Sequence, residues 1–137
     1  GGKLADRFSP ANACIVLLLI MAATLVIVHY ISGNQALSLV MTFITGAVAF
    51  ALASPIQMLM INTAKGSEML AASVSQASFN IGNALGAFLG GLPLAAGYDY
   101  TSPVFVGTLM ALTGAGFAWM LIIRNKKTEG ILETIKN

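Results

Sequence analysis

The sequence predicts an all-α integral membrane protein with four transmembrane helices. Of its 137 residues, 57% are apolar and only 9% are charged, whereas an average soluble domain carries roughly a quarter charged residues. Asp, Glu, Lys and Arg are absent between Arg7 and Lys65, between Glu68 and Asp99, and between Asp99 and Arg124. Since a helix needs about 20 mostly apolar residues to cross a bilayer, intervals of this length predict membrane-spanning helices.

The same composition argues against a self-contained enzyme. Hydrolytic, metal and phosphate sites need clustered His, Cys, Asp or Glu, and the chain has one His, one Cys and five acidic residues. Cys14 falls in an apolar run and is expected to be a buried, inert thiol. His29 lies beside Tyr30 at a predicted helix end, where contact with lipid headgroups is favoured over proton transfer. The sequence predicts no metal site and no cofactor.

The first predicted helix covers residues 11–31. Ser9 supplies a hydroxyl for the N-cap, and Pro10 suits the first helical position because its missing amide has no partner there anyway. The Ser-Gly-Asn sequence at residues 32–34 is typical of a turn. The first helix is therefore predicted to begin and end within this apolar run.

The second predicted helix covers residues 36–61. Pro55 lies inside it and lacks a backbone amide, so a kink is expected near its end. The break that follows, residues 62–68, contains Gly66 for a turn and Ser67 as the predicted N-cap of the next helix.

The third predicted helix, residues 69–97, is the least apolar of the four. Small residues recur along it every four positions and form one narrow helical face, which predicts close packing against another helix. The members of this small-residue face are Ser78, Gly82, Gly86 and Gly90. The pair Gly90-Gly91 and the following Pro93 also predict a bend or an unwound turn near the end of the helix.

Polar side chains form a second stripe on the third helix. Amide groups in hydrocarbon are costly unless they are paired, so these side chains are expected to face either a neighbouring helix or a water-filled cavity. Gln57 of the second helix is a further candidate, either for a cavity wall or for the backbone groups that Pro55 leaves unpaired. The candidate cavity residues are Gln57, Ser73, Gln76, Asn80 and Asn83.

The fourth predicted helix covers residues 103–123, begins at the Ser102-Pro103 pair and is followed by a polar tail, residues 124–137. All seven Lys and Arg residues fall before the first helix, between the second and third, or after the fourth. This asymmetry predicts that both chain ends are cytoplasmic. The basic residues at 124–127 are expected to anchor the chain at anionic lipids rather than to bind nucleic acid.

Residues 2–7, Gly-Lys-Leu-Ala-Asp-Arg, resemble the first half of the signature cytoplasmic loop motif of major facilitator superfamily transporters. In the second half, residues 9–11 stand where that motif has a glycine and a basic pair. Residues 64–70 and 78–91 are similar to helix eleven of the drug:proton antiporter branch, especially the arabinose-efflux-permease-like proteins. The resemblance covers the whole chain.

This resemblance implies that the four helices are helices nine to twelve of a twelve-helix transporter, in its C-terminal six-helix half, and that eight helices are missing from the sequence. It implies proton-coupled efflux of sugars, drugs or other small amphipathic solutes across a bacterial inner membrane. No Asp or Glu lies in the predicted helices, so a proton-carrying residue is expected in the missing part. A cytoplasmic gating contact is implied for Gly2, Leu4, Asp6 and Arg7.

Two alternatives remain open at this point. One is a small four-helix multidrug pump that works as a dimer, although that class has an acidic residue in its first helix and residues 11–31 contain none. The other is a noncatalytic membrane scaffold or assembly subunit that binds a partner through the small-residue face. A scaffold would explain the glycines but not the motif at residues 2–7.

Overall fold

The computed structural model describes residues 9–136, with the side chains of residues 9–124 and 127. This part of the chain contains four α-helices and no strand, which confirms the predicted all-α fold. Apart from the C-terminal end of the last helix, each helix begins and ends within two residues of its predicted limits. The helices are α1 (Pro10–Ile31), α2 (Gln35–Thr63), α3 (Glu68–Ala95) and α4 (Ser102–Lys136).

The last helix is longer than predicted. It continues past residue 123 to Lys136, through the segment expected to be a polar tail. The reason is that residues 124–136 consist mainly of good helix formers and contain no proline. At the other end, Ser102 is the first residue of the helix. Its hydroxyl donates to the Asp99 carbonyl at 2.6 Å.

Side chains cap the first two helices at their N-termini. The Ser9 hydroxyl accepts a hydrogen bond from the Asn12 amide at 3.4 Å, as predicted. Asn34 caps α2 because its Oδ1 accepts from the amides of Ala36 and Leu37, at 3.1 and 3.3 Å. Two of the unpaired amides at the start of α2 are thereby satisfied.

Replacing Asn34 by alanine tests the importance of this cap. The Asn34→Ala variant is expected to lose about 1 kcal/mol of unfolding free energy, the usual cost of removing an N-cap side chain. Asn34→Asp keeps a capping oxygen and is the matched control. Chemical denaturation of the purified protein in detergent measures both variants. Equal stability of Asn34→Ala and the wild type would show that the cap does not contribute.

The turn between α2 and α3 is stabilised by a side chain other than the predicted one. Gly66 has a positive φ of 83°, as a turn glycine requires. Ser67 occupies the N-cap position, but its side chain makes no capping hydrogen bond. Instead, Glu68 Oε1 accepts from the Gly66 amide at 3.0 Å. This hydrogen bond, together with one from the backbone amide of Glu68 itself, holds the pKa of the exposed Glu68 carboxyl below its usual value.

Neither internal proline interrupts its helix. α2 is continuous through Pro55, and α3 is continuous through Pro93 to Ala95, so the unwound turn expected near Gly90 is not found. α3 ends at Ala95 with Ala96 as its C-cap, and the next residue, Gly97, has a φ of 82°. The Gly97 amide donates to the Leu94 carbonyl and the Tyr98 amide donates to the Pro93 carbonyl, both at 3.0 Å, which is the Schellman arrangement of a helix end.

The four helices form a ring in which each helix contacts two others. α1 packs against α2 and α4, and α3 packs against the same two helices, whereas the opposite pairs α1/α3 and α2/α4 make no close backbone contact in the described chain. The α1–α4 contact is the most extensive, and these two helices supply most of the buried apolar residues. They are Ala13, Cys14, Leu17 and Ala22 of α1 and Ala111, Ala115 and Ala118 of α4.

Glycines allow α1 and α4 to approach closely. A Cβ atom placed on Gly107 would lie 3.2 Å from Leu25 Cδ1, and one on Gly114 would lie 3.5 Å from Leu18 Cδ2. Together with the buried alanines of α4, these glycines make a second small-residue face, which the sequence analysis did not predict. Cys14 of α1 is buried, with 3% of its surface exposed, as expected for an inert thiol.

Three of the helices are long and apolar enough to cross a membrane: α1, α2 and residues Ser102–Arg124 of α4. α3 has 28 residues, which is sufficient length, but its serines and amides keep it below the hydropathy of the other three. Large apolar side chains on the outside of the bundle fit contact with lipid or with further helices. Examples are Phe43 and Phe88, which are 78% and 64% exposed.

Candidate functional site

A cavity of about 310 Å³ lies between α2 and α3, and we call it the amide pocket. Three of the predicted cavity residues line it: Gln57 projects from α2, and Gln76 and Asn83 project from α3. Two aromatic rings and two alanines complete its wall, namely Phe50, Phe79, Ala49 and Ala53. The structure therefore brings one amide of α2 together with two amides of α3.

Helical periodicity explains how these side chains reach one pocket. Residues 76, 79 and 83 of α3 are spaced by three and four, and residues 50, 53 and 57 of α2 have the same spacing. Such spacings place side chains on one face of a helix. The two faces are apposed because α2 and α3 are antiparallel neighbours joined by a short turn.

The three amides of the pocket make no hydrogen bond to any other group in the described chain, so their N–H and C=O groups are available to a bound molecule. This distinguishes them from two serines of the same helix. The Ser73 hydroxyl donates to the Met69 carbonyl at 3.0 Å, and the Ser78 hydroxyl donates to the Val74 carbonyl at 2.8 Å. Unpaired amides facing a cavity provide both donors and acceptors.

The pocket is also electrically neutral, because its lining contains no ionisable side chain. Recognition there must depend on hydrogen bonds from the amides and on contact with the Phe50 and Phe79 rings. Such a lining suits an uncharged molecule with hydroxyl, carbonyl or ether groups. Among the described residues, no group of three His, Cys, Asp or Glu side chains is placed to hold a metal ion.

Ser73 and Asn80 do not line the amide pocket. At about 100° per residue they lie about 40–60° around α3 from Gln76, on the side away from the Phe79 edge of the pocket. Both side chains are exposed. Their assignment to a cavity wall stays a prediction.

The predicted small-residue face of α3 meets another helix only near its end within the described chain. A Cβ atom on Gly90 would lie 3.7 Å from Pro103 Cβ of α4, but one on Gly82 or Gly86 would have no atom of the described chain within 4 Å. The Ser78 side chain is exposed. The packing role of Ser78, Gly82 and Gly86 stays a prediction, because Gly82 and Gly86 have no packing partner among the described residues.

Other predicted residues lie away from the pocket or outside the description. The His29 ring packs against Phe105 of α4 and Tyr30, with ring centroids 4.5 and 5.4 Å apart. Its Nδ1 atom is buried and has no hydrogen-bond partner among the described residues. The candidate gating residues Gly2, Leu4, Asp6 and Arg7 lie outside the described residues.

The sequence analysis missed the apolar part of the pocket wall. Ala49 and Ala53 are four residues apart on α2, and small residues at this spacing leave room between helices. Phe50 and Phe79 give no separate signal, because phenylalanine is common throughout lipid-facing helices. Only the pairing of α2 with α3 identifies which rings face the amides.

Apolar helices that keep hydrogen-bonding amides in a pocket between them are typical of a polytopic membrane protein with an internal polar site. Sequence comparison identifies the family. The chain belongs to the Major Facilitator Superfamily, whose sequence profile matches residues 1–136. This confirms the resemblance seen in the sequence and identifies the fold as part of a major facilitator fold.

Three relatives show how much of a transporter the chain represents. AraJ of Escherichia coli K12 is 32% identical over 133 residues, which are 97% of this chain and 33% of AraJ. The inner membrane transport protein YdhP of the same organism is 33% identical over 129 residues, 94% of this chain and 32% of YdhP. The uncharacterized MFS-type transporter YfhI of Bacillus subtilis is 32% identical over 108 residues, 79% of this chain and 27% of YfhI. No solved structure matches the chain significantly.

The chain thus spans about a third of the length of the curated relatives AraJ and YdhP. Membership of this family and the relatives named as transporters support membrane transport in general terms. They also support an integral membrane location, which agrees with the three apolar helices.

Proposed function

We propose that this chain forms helices nine to twelve of a twelve-helix transporter and that the amide pocket is part of its solute cavity. The relatives AraJ and YdhP are about three times as long as the matched segment, which leaves room for eight more helices as the partners of this chain. In this arrangement α3 also crosses the membrane, with its amides directed at the pocket rather than at lipid.

The observation that carries the proposal is the meeting of Gln57, Gln76 and Asn83 around one cavity without hydrogen-bond partners in the described chain. Interhelical hydrogen bonding was the competing explanation of these amides. Within the described chain they make none, so a role in holding α2 against α3 is not supported. A transported solute that binds in the cavity would satisfy them.

The solutes that fit are uncharged sugars and small amphipathic molecules, including drugs, and we propose efflux across a bacterial inner membrane. Basic residues flank the helices on one side only, which supports a cytoplasmic location for both chain ends. If transport is coupled to proton entry, the proton-carrying residue lies outside the predicted membrane spans of this chain, which contain no Asp or Glu. The proposed cytoplasmic gate includes Gly2, Leu4, Asp6 and Arg7.

Replacing Gln76 by leucine tests this role of the pocket. In the full-length transporter, Gln76→Leu is expected to lower the efflux rate about fivefold or more, because it removes hydrogen bonds worth about 1 kcal/mol each. Efflux of a panel of radiolabelled sugars and alkyl glycosides from loaded cells measures the effect. The amount of protein in the membrane is expected to stay unchanged.

Thr42→Leu is the matched control for that variant. Thr42 is on α2, is exposed, does not line the amide pocket and already donates its hydroxyl to the Ser38 carbonyl, so efflux should match the wild type. Asn80→Leu measures whether the cavity extends beyond the amide pocket. Normal efflux by a normally expressed Gln76→Leu protein would contradict the proposal.

A further inference from the structure

A second cavity, of about 280 Å³, adjoins the amide pocket between the same two helices. Its lining consists of Ile56, Met60, Ser75, Ser78 and Phe79, and we call it the apolar pocket. Phe79 lines both cavities, so its ring forms the boundary between them. Small-molecule sites occupy roughly 300 Å³ upwards. Each cavity alone is at the lower limit of this range, and the two together fall well inside it.

Ser75 is the one polar group in the apolar pocket that lacks a partner. It is 2% exposed, and its Oγ has no hydrogen-bond partner among the described residues. Ser78, which lines the same pocket, donates instead to the Val74 carbonyl at 2.8 Å. A buried hydroxyl without a partner is unfavourable, so Ser75 in an otherwise apolar wall points to a ligand that supplies the missing hydrogen bond.

We propose that the apolar pocket is a second subsite for the transported solute, and this inference rests on the proposed function. The subsite takes an apolar tail that carries one acceptor oxygen, such as an ether, to which the Ser75 hydroxyl donates. The polar head of the same molecule lies in the amide pocket. The preferred solute is therefore amphipathic, with its apolar tail packed against Ile56 and Met60 and its middle against the Phe79 ring.

Alkyl β-glucosides are suitable probes because they vary the tail and keep one polar head. Binding to the full-length transporter in vesicles is measured for methyl and hexyl glucoside, with partition into protein-free vesicles subtracted. The wild type is expected to bind hexyl glucoside at least about tenfold more tightly than methyl glucoside, since each buried methylene adds favourable apolar contact. The ratio of the two affinities does not depend on the fraction of protein that is folded.

Two substitutions, one in each cavity, show which cavity determines the ratio of the two affinities. Ile56→Phe fills part of the apolar pocket and should reduce the preference for hexyl glucoside about tenfold while methyl glucoside binds as before. Ile44→Phe is the matched control, because Ile44 is on the same helix and lines neither pocket. Gln76→Leu should weaken both probes equally, since both place the sugar in the amide pocket.

The hydroxyl of Ser75 is tested with an ether tail. 2-Propoxyethyl glucoside has a tail as long as hexyl, with one ether oxygen, and Ser75→Ala should weaken its binding about fivefold while leaving hexyl glucoside unchanged. The same variant should express normally, because it removes an unpaired buried hydroxyl. Equal effects of Ser75→Ala on the two tails would overturn the role of this residue.

Failure of the subsite and failure of the proposed function give different results. The subsite would be overturned if the wild type bound methyl and hexyl glucoside equally while Gln76→Leu still weakened both probes. The apolar pocket would then be a place for a lipid chain. Unchanged binding of both probes by Gln76→Leu, or no binding of either by the wild type, would contradict the proposed function and the subsite with it.

Discussion

Gly107→Leu is expected to prevent accumulation of folded protein in the membrane. A Cβ atom on Gly107 would already lie 3.2 Å from Leu25 Cδ1, and a leucine side chain adds three carbons beyond it. α1 and α4 would have to separate along the most extensive contact of the bundle. Overpacking of this kind typically costs about 1–3 kcal/mol and sometimes more. Apolar surface gains no free energy by leaving lipid, so no hydrophobic effect compensates for close packing that is lost between membrane helices.

Gly116→Leu is the matched control on the same helix. A Cβ atom on Gly116 would have no atom of the described chain within 4 Å, so this variant should accumulate like the wild type. Gly107→Ala should have an intermediate effect, because the flexible end of Leu25 has to move only a few tenths of an ångström. Size-exclusion chromatography of detergent extracts measures all three. Normal, monodisperse Gly107→Leu protein would show that the α1–α4 contact is not tight.

Gly86→Leu is the second substitution with a large expected effect, and it tests for a helix outside the described residues. Gly86 belongs to the small-residue face of α3, and a Cβ atom there would meet nothing within 4 Å in the described chain. If a further helix of the transporter packs on this face, leucine would push it away and sharply lower expression of the full-length protein. Immunoblotting of membranes together with the efflux assay measures the result.

Ala84→Leu is the control for this variant. At about 100° per residue, Ala84 lies on the opposite side of α3 from Gly86, close to the direction of Phe88. Phe88 is 64% exposed, as a lipid-facing side chain would be, so a larger apolar residue at position 84 should be tolerated. A Gly86→Leu protein that accumulates and transports like Ala84→Leu would contradict the proposed packing role of the glycines.

The helices were predictable because their signals are local. Long intervals without charge, the Asn at the start of α2 and the glycines of the turns depend only on neighbouring residues, and the structure has four helices where the sequence predicts them. The C-terminal extension of α4 was missed for a related reason. The polar composition of residues 124–136 indicates where the membrane span ends. An α-helix can continue outside the membrane, and this segment has enough good helix formers to do so.

The contacts between helices were not predictable in the same way. Gly107 and Gly114 of α4 resemble the glycines of α3 in sequence, yet only the α4 glycines meet Leu25 and Leu18 across a tight interface. Likewise, Gln76 and Asn80 are equivalent by composition, and only Gln76 lines the amide pocket. Which face of a membrane helix is covered depends on its neighbours in space, and local pattern carries little information about them.

The central claim is that the amide pocket is a water-accessible solute cavity, and thiol labelling tests it most directly. Single cysteines are placed in the full-length transporter after its own cysteines, including Cys14 of this chain, have been replaced by serine. Gln76→Cys and Asn83→Cys are treated with a membrane-impermeant methanethiosulfonate, which reacts with the thiolate formed in water. Ile81→Cys is the control, since Ile81 is 60% exposed and lies away from the pocket on α3.

Rapid labelling at positions 76 and 83, slowed by bound glycoside, with slow labelling at position 81, is the result that the account predicts. Labelling at positions 76 and 83 that is no faster than at position 81 would place the amides in lipid or in a dry helix contact, and would contradict a solute cavity between α2 and α3.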